Sequence, residues 1–175
     1  MSTKNDSMPT KSVLVDKDVS DLHRFLVLDS QFEILYDSIT NLAAKICKVP
    51  VALITFVDDH RIWFKSEVGY SYVTDIPRSD LFCGLVAKKN EYLEIHDIDK
   101  DESHKDHDYD LDGRKFRFYA GAPVKLPLGE LVGVVCVFDT KPKKLTEQQR
   151  EVLLGLADIL TKALVTKNFL SRVVS

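Results

Sequence analysis

Residues 117–139 read RFYAGAPVKLPLGELVGVVCVFD, and this stretch decides the fold. RFYAGAPV (117–124) predicts a strand that ends near Pro123, because proline cannot donate to a sheet ladder. Lys125–Glu130 carries the turn signals Pro127 and Gly129. LVGVVCVF (131–138) is a continuous apolar run rich in β-branched residues, which predicts a strand covered on both faces. Two such runs, one short turn apart, predict an antiparallel hairpin.

A second hairpin lies upstream. VALITFV (51–57) has the same buried-strand composition, Asp58, Asp59 and His60 supply the turn, and RIWFKSEV (61–68) is the returning strand. Residues 69–77 read as a loop. Before this hairpin, Phe32, Leu35, Tyr36, Ile39, Leu42, Ala43, Ile46 and Cys47 recur at three- and four-residue intervals. That is one apolar helix face, with Asp29 or Ser30 as cap and Pro50 marking the end. FCGLVAKK (82–89) predicts a short helix capped by Ser79 or Asp80, and Tyr92, Leu93 and Ile95 a brief strand. Thr146 and Gln149 form a capping box for a last helix whose apolar residues are Val152, Leu153, Leu156, Ile159, Leu160, Ala163 and Leu164. Leu153, Leu156, Leu160 and Ala163 give a short coiled-coil-like seam, partly explained by burial on the sheet.

The order is helix, hairpin, short helix, strand, long loop, hairpin, helix. It predicts an α+β domain with flanking helices on one sheet face and the short helix and long loop over the other. Residues 1–20 are expected to be a flexible arm, 21–167 the domain, and 168–175 a C-terminal tail.

The 175 residues suit one domain, and 45% hydrophobic with 29% charged residues is the composition of a soluble globular protein. A net charge of −3 with dispersed basic residues gives no footprint for nucleic acid or for an anionic membrane. No apolar run approaches the roughly 20 residues of a membrane span, and the polar start lacks a signal peptide's apolar middle. A cytoplasmic location is expected. Cys47, Cys83 and Cys136 are widely spaced in apolar neighbourhoods, which argues for reduced thiols and against a disulfide framework or a zinc site.

VALITFVDDHRIWFKSEVG, IPRSDLFCGLVAKKNEYLEIHDI, RFYAGAPVKLPLGELVGVVCVFD and KKLTEQQREVLLGLADIL together resemble a bacterial GAF domain over residues 25–165. The likeness is to the subgroup found with histidine kinases and cyclic-di-GMP enzymes. It implies a central antiparallel sheet of five or six strands, a ligand cavity on one face and dimerisation through the terminal helices. It also implies a signal-sensing module without catalysis of its own, bound to an unknown small molecule and coupled to a histidine kinase or cyclic-di-GMP output domain.

Trp63, Phe64, Arg78, Phe82, Cys83, Tyr119 and Phe138 are the candidate ligand-binding residues, since a small-molecule pocket needs bulky apolar walls with a few polar handles. The plain alternative is that the aromatics are core and Arg78 pairs with the acidic loop. Cys83, beside Gly84 at the start of a helix, has the setting of an activated thiol or of a simple packing residue. The free methionine sulfoxide reductases share the resemblance, and in that reading Cys83 is a nucleophile. Their second cysteine-bearing loop is missing here, and Cys136, on a central strand, reads as a poor resolving partner. A third reading is a ligand-free dimerisation scaffold. Gly84 after the cysteine disfavours a bilin, and the Asn-Lys-aromatic-Asp-Glu motif of cyclic-nucleotide binding is absent, so no cofactor is assigned. The acidic run HDIDKDESHKDHDYDLDGR (96–114) places His104 and His107 three residues apart among Asp97, Asp99, Asp101, Asp106, Asp108 and Asp110. It follows no EF-hand pattern, and such runs are ordinarily solvated loops, so no metal is assigned.

Overall fold

The computed structural model describes residues 32–70, 75–80, 82–106, 110–111 and 113–174. The arm expected at 1–20, the caps expected at Asp29 and Ser30, and His107 and Asp108 lie outside these residues. Helix α1 (Glu33–Cys47) buries Tyr36, Ile39, Ala43 and Cys47 at the expected spacing. It ends at Lys48, whose φ of 54° places it in the left-handed region two residues before Pro50. A helix end leaves its last carbonyls without intrahelical partners. Here the Lys143 ammonium donates to the carbonyls of Cys47 (3.1 Å) and Lys48 (2.8 Å), and the Gln149 amide donates to that of Ile46 (2.9 Å).

Strands β1 (Val51–Val57) and β2 (Arg61–Val68) form the first hairpin. The expected loop then holds a short strand, β3 (Asp75–Pro77), which pairs with Arg61–Trp63 and covers the outer edge of β2. After a 3-10 turn at Arg78–Asp80 come α2 (Phe82–Lys89) and β4 (Leu93–Ile95). The acidic run contains a 3-10 turn at Ile98–Lys100 and a two-stranded ribbon of β5 (Asp110–Leu111) and β6 (Arg114–Lys115). Strands β7 (Phe118–Lys125) and β8 (Leu131–Asp139) make the second hairpin, and α3 (Glu147–Val174) closes the chain.

The six-stranded sheet is antiparallel throughout, in the order β3-β2-β1-β8-β7-β4. Strand β7 runs two residues past Pro123. That is tolerated because β4 pairs only with Tyr119–Gly121, so the missing N–H of Pro123 faces no neighbouring strand. The capping box forms as expected: Thr146 N–H donates to Gln149 Oε1 (2.9 Å), and Gln149 N–H to Thr146 Oγ1 (3.1 Å).

Two apolar layers sandwich the sheet. On the helix side, Tyr36, Ile39 and Ala43 of α1 and Leu153, Leu156, Leu160 and Leu164 of α3 pack on Ile54, Phe56, Ala120, Val135 and Val137. On the other side, Phe82, Cys83 and Val86 of α2, with Ile98 of the acidic segment and Phe116 just after it, pack on Leu53, Tyr119, Val134, Cys136 and Phe138. The three leucines of the coiled-coil-like seam, Leu153, Leu156 and Leu160, are therefore part of the helix-side core, while Ala163 lies half-buried outside it. The outward face of α3 instead exposes Leu154, Ile159, Phe169 and Val173. The helix runs on through Val174, so the segment set apart as a tail is helical to that point. Among the described residues, no helix is long and apolar enough to cross a membrane.

Candidate functional site

Strand parity alone does not say which β2 side chains face α2, because a bulge at Lys65 resets it. Ile54 pairs with Ser66, but the next residue, Thr55, pairs with Phe64. Ser66 and Trp63 consequently face the helix side. There the Ser66 hydroxyl donates to Asp37 (2.6 Å) and meets the Thr40 hydroxyl (2.8 Å), and Trp63 packs on the helix-side core under the Arg61 guanidinium (4.6 Å to the ring). Phe64 faces the opposite layer, with its ring 5.5 Å from that of Tyr70. Of the seven candidate residues, Phe64, Phe82, Cys83, Tyr119 and Phe138 share the α2 side of the sheet, and Trp63 does not. Arg78 sits at the margin, half-buried. Its guanidinium donates to the Asp58 carbonyl (3.3 Å) of the β1–β2 turn, a different partner from the acidic loop.

The core of this layer is a row of rings. Phe82 and Tyr119 lie 5.1 Å apart, Tyr119 and Phe138 4.9 Å, and Phe138 and Phe116 5.3 Å, separations at which aromatic pairs attract beyond simple burial. Gly121 makes the row possible: a Cβ there would stand 2.3 Å from the Tyr119 hydroxyl. Gly84 does the same for α2, since its Cβ would lie 2.0 Å from the carbonyl oxygen of Arg78.

Set into this apolar layer is a small polar island. Cys83, in the first turn of α2, and Cys136, in the middle of β8, are both fully buried, and their sulfurs are 3.4 Å apart. The expectation that Cys136 is a poor partner is thus corrected. Its side chain alternates with Phe138 toward α2, and the residue beside it across the ladder is Gly121, which offers no side chain to block the approach. The Tyr119 hydroxyl donates to Cys83 Sγ (3.4 Å), and the Cys136 thiol donates to the Leu53 carbonyl (3.8 Å). Burial works against a Cys83 thiolate, but hydrogen bonding with Cys136, Tyr119 and Thr55 outweighs it and holds this thiol below its ordinary range. Burial and the charge and hydrogen bonding of Cys83 push Cys136 well above. Of the two, Cys83 is therefore the thiol that gives up its proton more readily. Cys47 is on the opposite face, in the helix-side core, where burial pushes its thiol up to about 11. Thr55 and Gly121 belong to this site and went unnoticed in the sequence, where a lone threonine in an apolar strand and a glycine among small residues carry no local signal.

The acidic segment is held by pairing rather than left as a bare charge run. Arg117 reaches both oxygens of Asp97 (2.7 and 3.1 Å) and Asp99 (3.5 Å), and Lys115 also reaches Asp99 (3.1 Å). The ring of His104 turns inward against Phe82 (5.7 Å) and bonds Asp101 (2.7 Å). Burial raises the Asp101 carboxyl, but the His104 and Ser103 hydrogen bonds outweigh it, so it lies below the usual range. His96 pairs with Glu94 (3.1 Å), which also accepts the Leu145 N–H (3.0 Å) and, at its other oxygen, the Tyr92 hydroxyl (2.6 Å). Among the described residues, no group of three or more His, Cys, Asp or Glu side chains is placed to hold a metal ion. Arg117→Ala is expected to cost about 1–3 kcal/mol, because it leaves Asp97, only 13% exposed, with only the exposed Lys100 ammonium at 3.9 Å as charge partner. Arg117→Lys should recover part of this, since an ammonium cannot reproduce the forked contact; urea denaturation of both variants checks the order.

The GAF domain family model matches residues 31–164 of the chain. A cyclic di-GMP phosphodiesterase of Pseudomonas aeruginosa is 30% identical over 117 residues, covering 67% of this chain and 20% of the enzyme, so the chain spans about a fifth of that relative's length. The GAF domain of a phosphoenolpyruvate-protein phosphotransferase from Acinetobacter superposes with a TM-score of 0.68 at 18% identity, covering 91% of this chain and 96% of its own. A free methionine-R-sulfoxide reductase from Neisseria meningitidis superposes with a TM-score of 0.63 at 17% identity, covering 94% and 96%. At these identities the two structures share the fold.

Proposed function

Since the chain belongs to the GAF domain family, we propose that it is a sensory module that takes a small molecule on the α2 side of its sheet and relays the event through its terminal helices, without catalysis of its own. The observation that carries this reading is the division of labour between the two faces. A polar island of Cys83, Cys136, Thr55 and the Tyr119 hydroxyl is enclosed by Phe82 and Phe138 under a helix of only two turns. Such a mixture of apolar walls and few polar groups suits a small ligand, and a two-turn cover is an element that ligand binding can shift.

The relay rests on the other face. Leu154, Ile159, Phe169 and Val173 occupy the outward side of α3, with Ile34 and Leu42 exposed on α1. A second copy of the chain is the natural cover for this surface, and a histidine kinase or cyclic-di-GMP enzyme is the proposed output, in keeping with the phosphodiesterase relative. The setting is cytoplasmic. Phe169→Asp is expected to turn a dimer into a monomer with little change in melting temperature, read by light scattering and thermal unfolding.

Native mass spectrometry of the protein from its own host tests the sensing: a retained small molecule, stabilising when added back, supports it. A dimer that keeps no molecule and is stabilised by none in a thermal-shift screen supports the scaffold reading. The sulfur separation of 3.4 Å gives the oxidoreductase alternative, with Cys83 as nucleophile, its own support. Turnover of free methionine-R-sulfoxide with a dithiol reductant would establish it, and none is expected.

A further inference from the structure

We propose that Cys83 and Cys136 are a peroxide-responsive dithiol, which hydrogen peroxide or a comparably small hydroperoxide converts to an intrachain disulfide tying α2 to β8. This goes beyond ligand sensing and needs no bound molecule. Three observations carry it. The two sulfurs are in contact at 3.4 Å, on elements 53 residues apart in the chain, and closing to the roughly 2.0 Å of a disulfide needs only a small approach of α2 toward the sheet. The surroundings are polar: the Tyr119 hydroxyl donates to Cys83, and the Leu53 carbonyl faces Cys136. Polar partners on both sulfurs support ionisation of one thiol of the pair, which packing of two small hydrophobes does not require. Third, both residues have zero exposure, so an oxidant reaches the sulfurs only when α2 lifts from the sheet, and a small hydroperoxide needs far less opening than a bulky disulfide.

The chemistry balances within the pair and the peroxide. The Cys83 thiolate attacks one peroxide oxygen, the O–O bond breaks, and hydroxide (or alkoxide) leaves with the electron pair, giving Cys83 sulfenic acid. The Cys136 sulfur then attacks the Cys83 sulfur. The S–S bond forms, the S–O bond breaks, and water leaves with the proton Cys136 held. The two sulfurs together lose two electrons and the peroxide gains them. Cys47 has no place in this sequence, being on the far side of the sheet with its thiol proton firmly held.

The test uses the full chain, reduced and folded, exposed to hydrogen peroxide, then acid-quenched, alkylated and mapped by peptide mass spectrometry without reduction. The expected result is a peptide pair joined through Cys83 and Cys136, lighter by two hydrogens, with Cys47 alkylated and the link lost on adding dithiothreitol. In Cys136→Ser the sulfenic acid has no sulfur to meet, and dimedone should label Cys83. Free thiols persisting at Cys83 and Cys136 in the folded chain, while the same peroxide oxidises the urea-unfolded chain, would overturn the proposal. So would a link through Cys47 or between two chains in place of the Cys83–Cys136 link. The wild-type map decides the matter even if Cys136→Ser fails to fold.

Discussion

Gly84→Ala is expected to lower the stability of the domain by about 3 kcal/mol, at the upper end of what overpacking costs. The added methyl would stand 2.0 Å from the carbonyl oxygen of Arg78, which is backbone and cannot swing aside. Nor is the Arg78 segment free to retreat. Its N–H donates to the His60 carbonyl (3.0 Å) and its guanidinium to that of Asp58 (3.3 Å), so the 3-10 turn is tied to the β1–β2 turn. The strain must be taken up by moving α2 off the sheet, which separates Cys83 from Cys136 as well. Gly155→Ala is the matched control: nothing lies within 4 Å of its Cβ, it is inside α3, and the change should stabilise by about 0.5–1 kcal/mol. Urea unfolding of both variants reads the contrast, and a Gly84→Ala protein as stable as wild type would refute the close packing of α2 on its turn.

Phe138→Ala is expected to cost about 3–5 kcal/mol, the range for emptying a buried aromatic position. Phe138 is fully buried on β8, between β1 and β7, and its ring touches both Tyr119 (4.9 Å) and Phe116 (5.3 Å). Removing it opens the middle of the aromatic row, and neither neighbour can follow, because Tyr119 is held over Gly121 and Phe116 follows from the acidic segment. Phe138→Leu should recover more than half of the loss. Thermal or urea melts check the order of the three proteins. If the α2 side takes a small apolar molecule, the cavity left by Phe138→Ala gives it more room, and a stabilising ligand should then restore part of the lost melting temperature.

The elements were legible in the sequence because their signals are local. Apolar runs at 51–57 and 131–138, the turn residues after each hairpin strand, the helical spacing of 32–47 and the Thr146–Gln149 capping box each act within a few residues. The α+β order with helices on one face followed from them, and the GAF likeness agreed with it. The short strand β3 was not legible, because three residues with a terminal proline have no pattern of their own and pair only because β2 offers an open edge.

What the tertiary structure alone decided is which side chains meet. The bulge at Lys65 sends Trp63 to the helix side and Phe64 to the α2 side, so two adjacent aromatics that look equivalent in RIWFKSEV part company. The leucines of the α3 seam joined the helix-side core because helix rotation is set by what the sheet and α1 offer, not by the spacing of leucines. Most of all, Cys83 and Cys136 are unremarkable in the sequence as two thiols in apolar surroundings. Their contact depends on strand register, on the seating of α2 and on a glycine beside each partner: Gly84 letting the helix settle and Gly121 clearing the space next to Cys136. The sequence by itself determined which segments are strands and helices and the family they build, since those are short-range properties of the chain. The pairing of two sulfurs 53 residues apart is a property of packing, and only the folded structure could decide it.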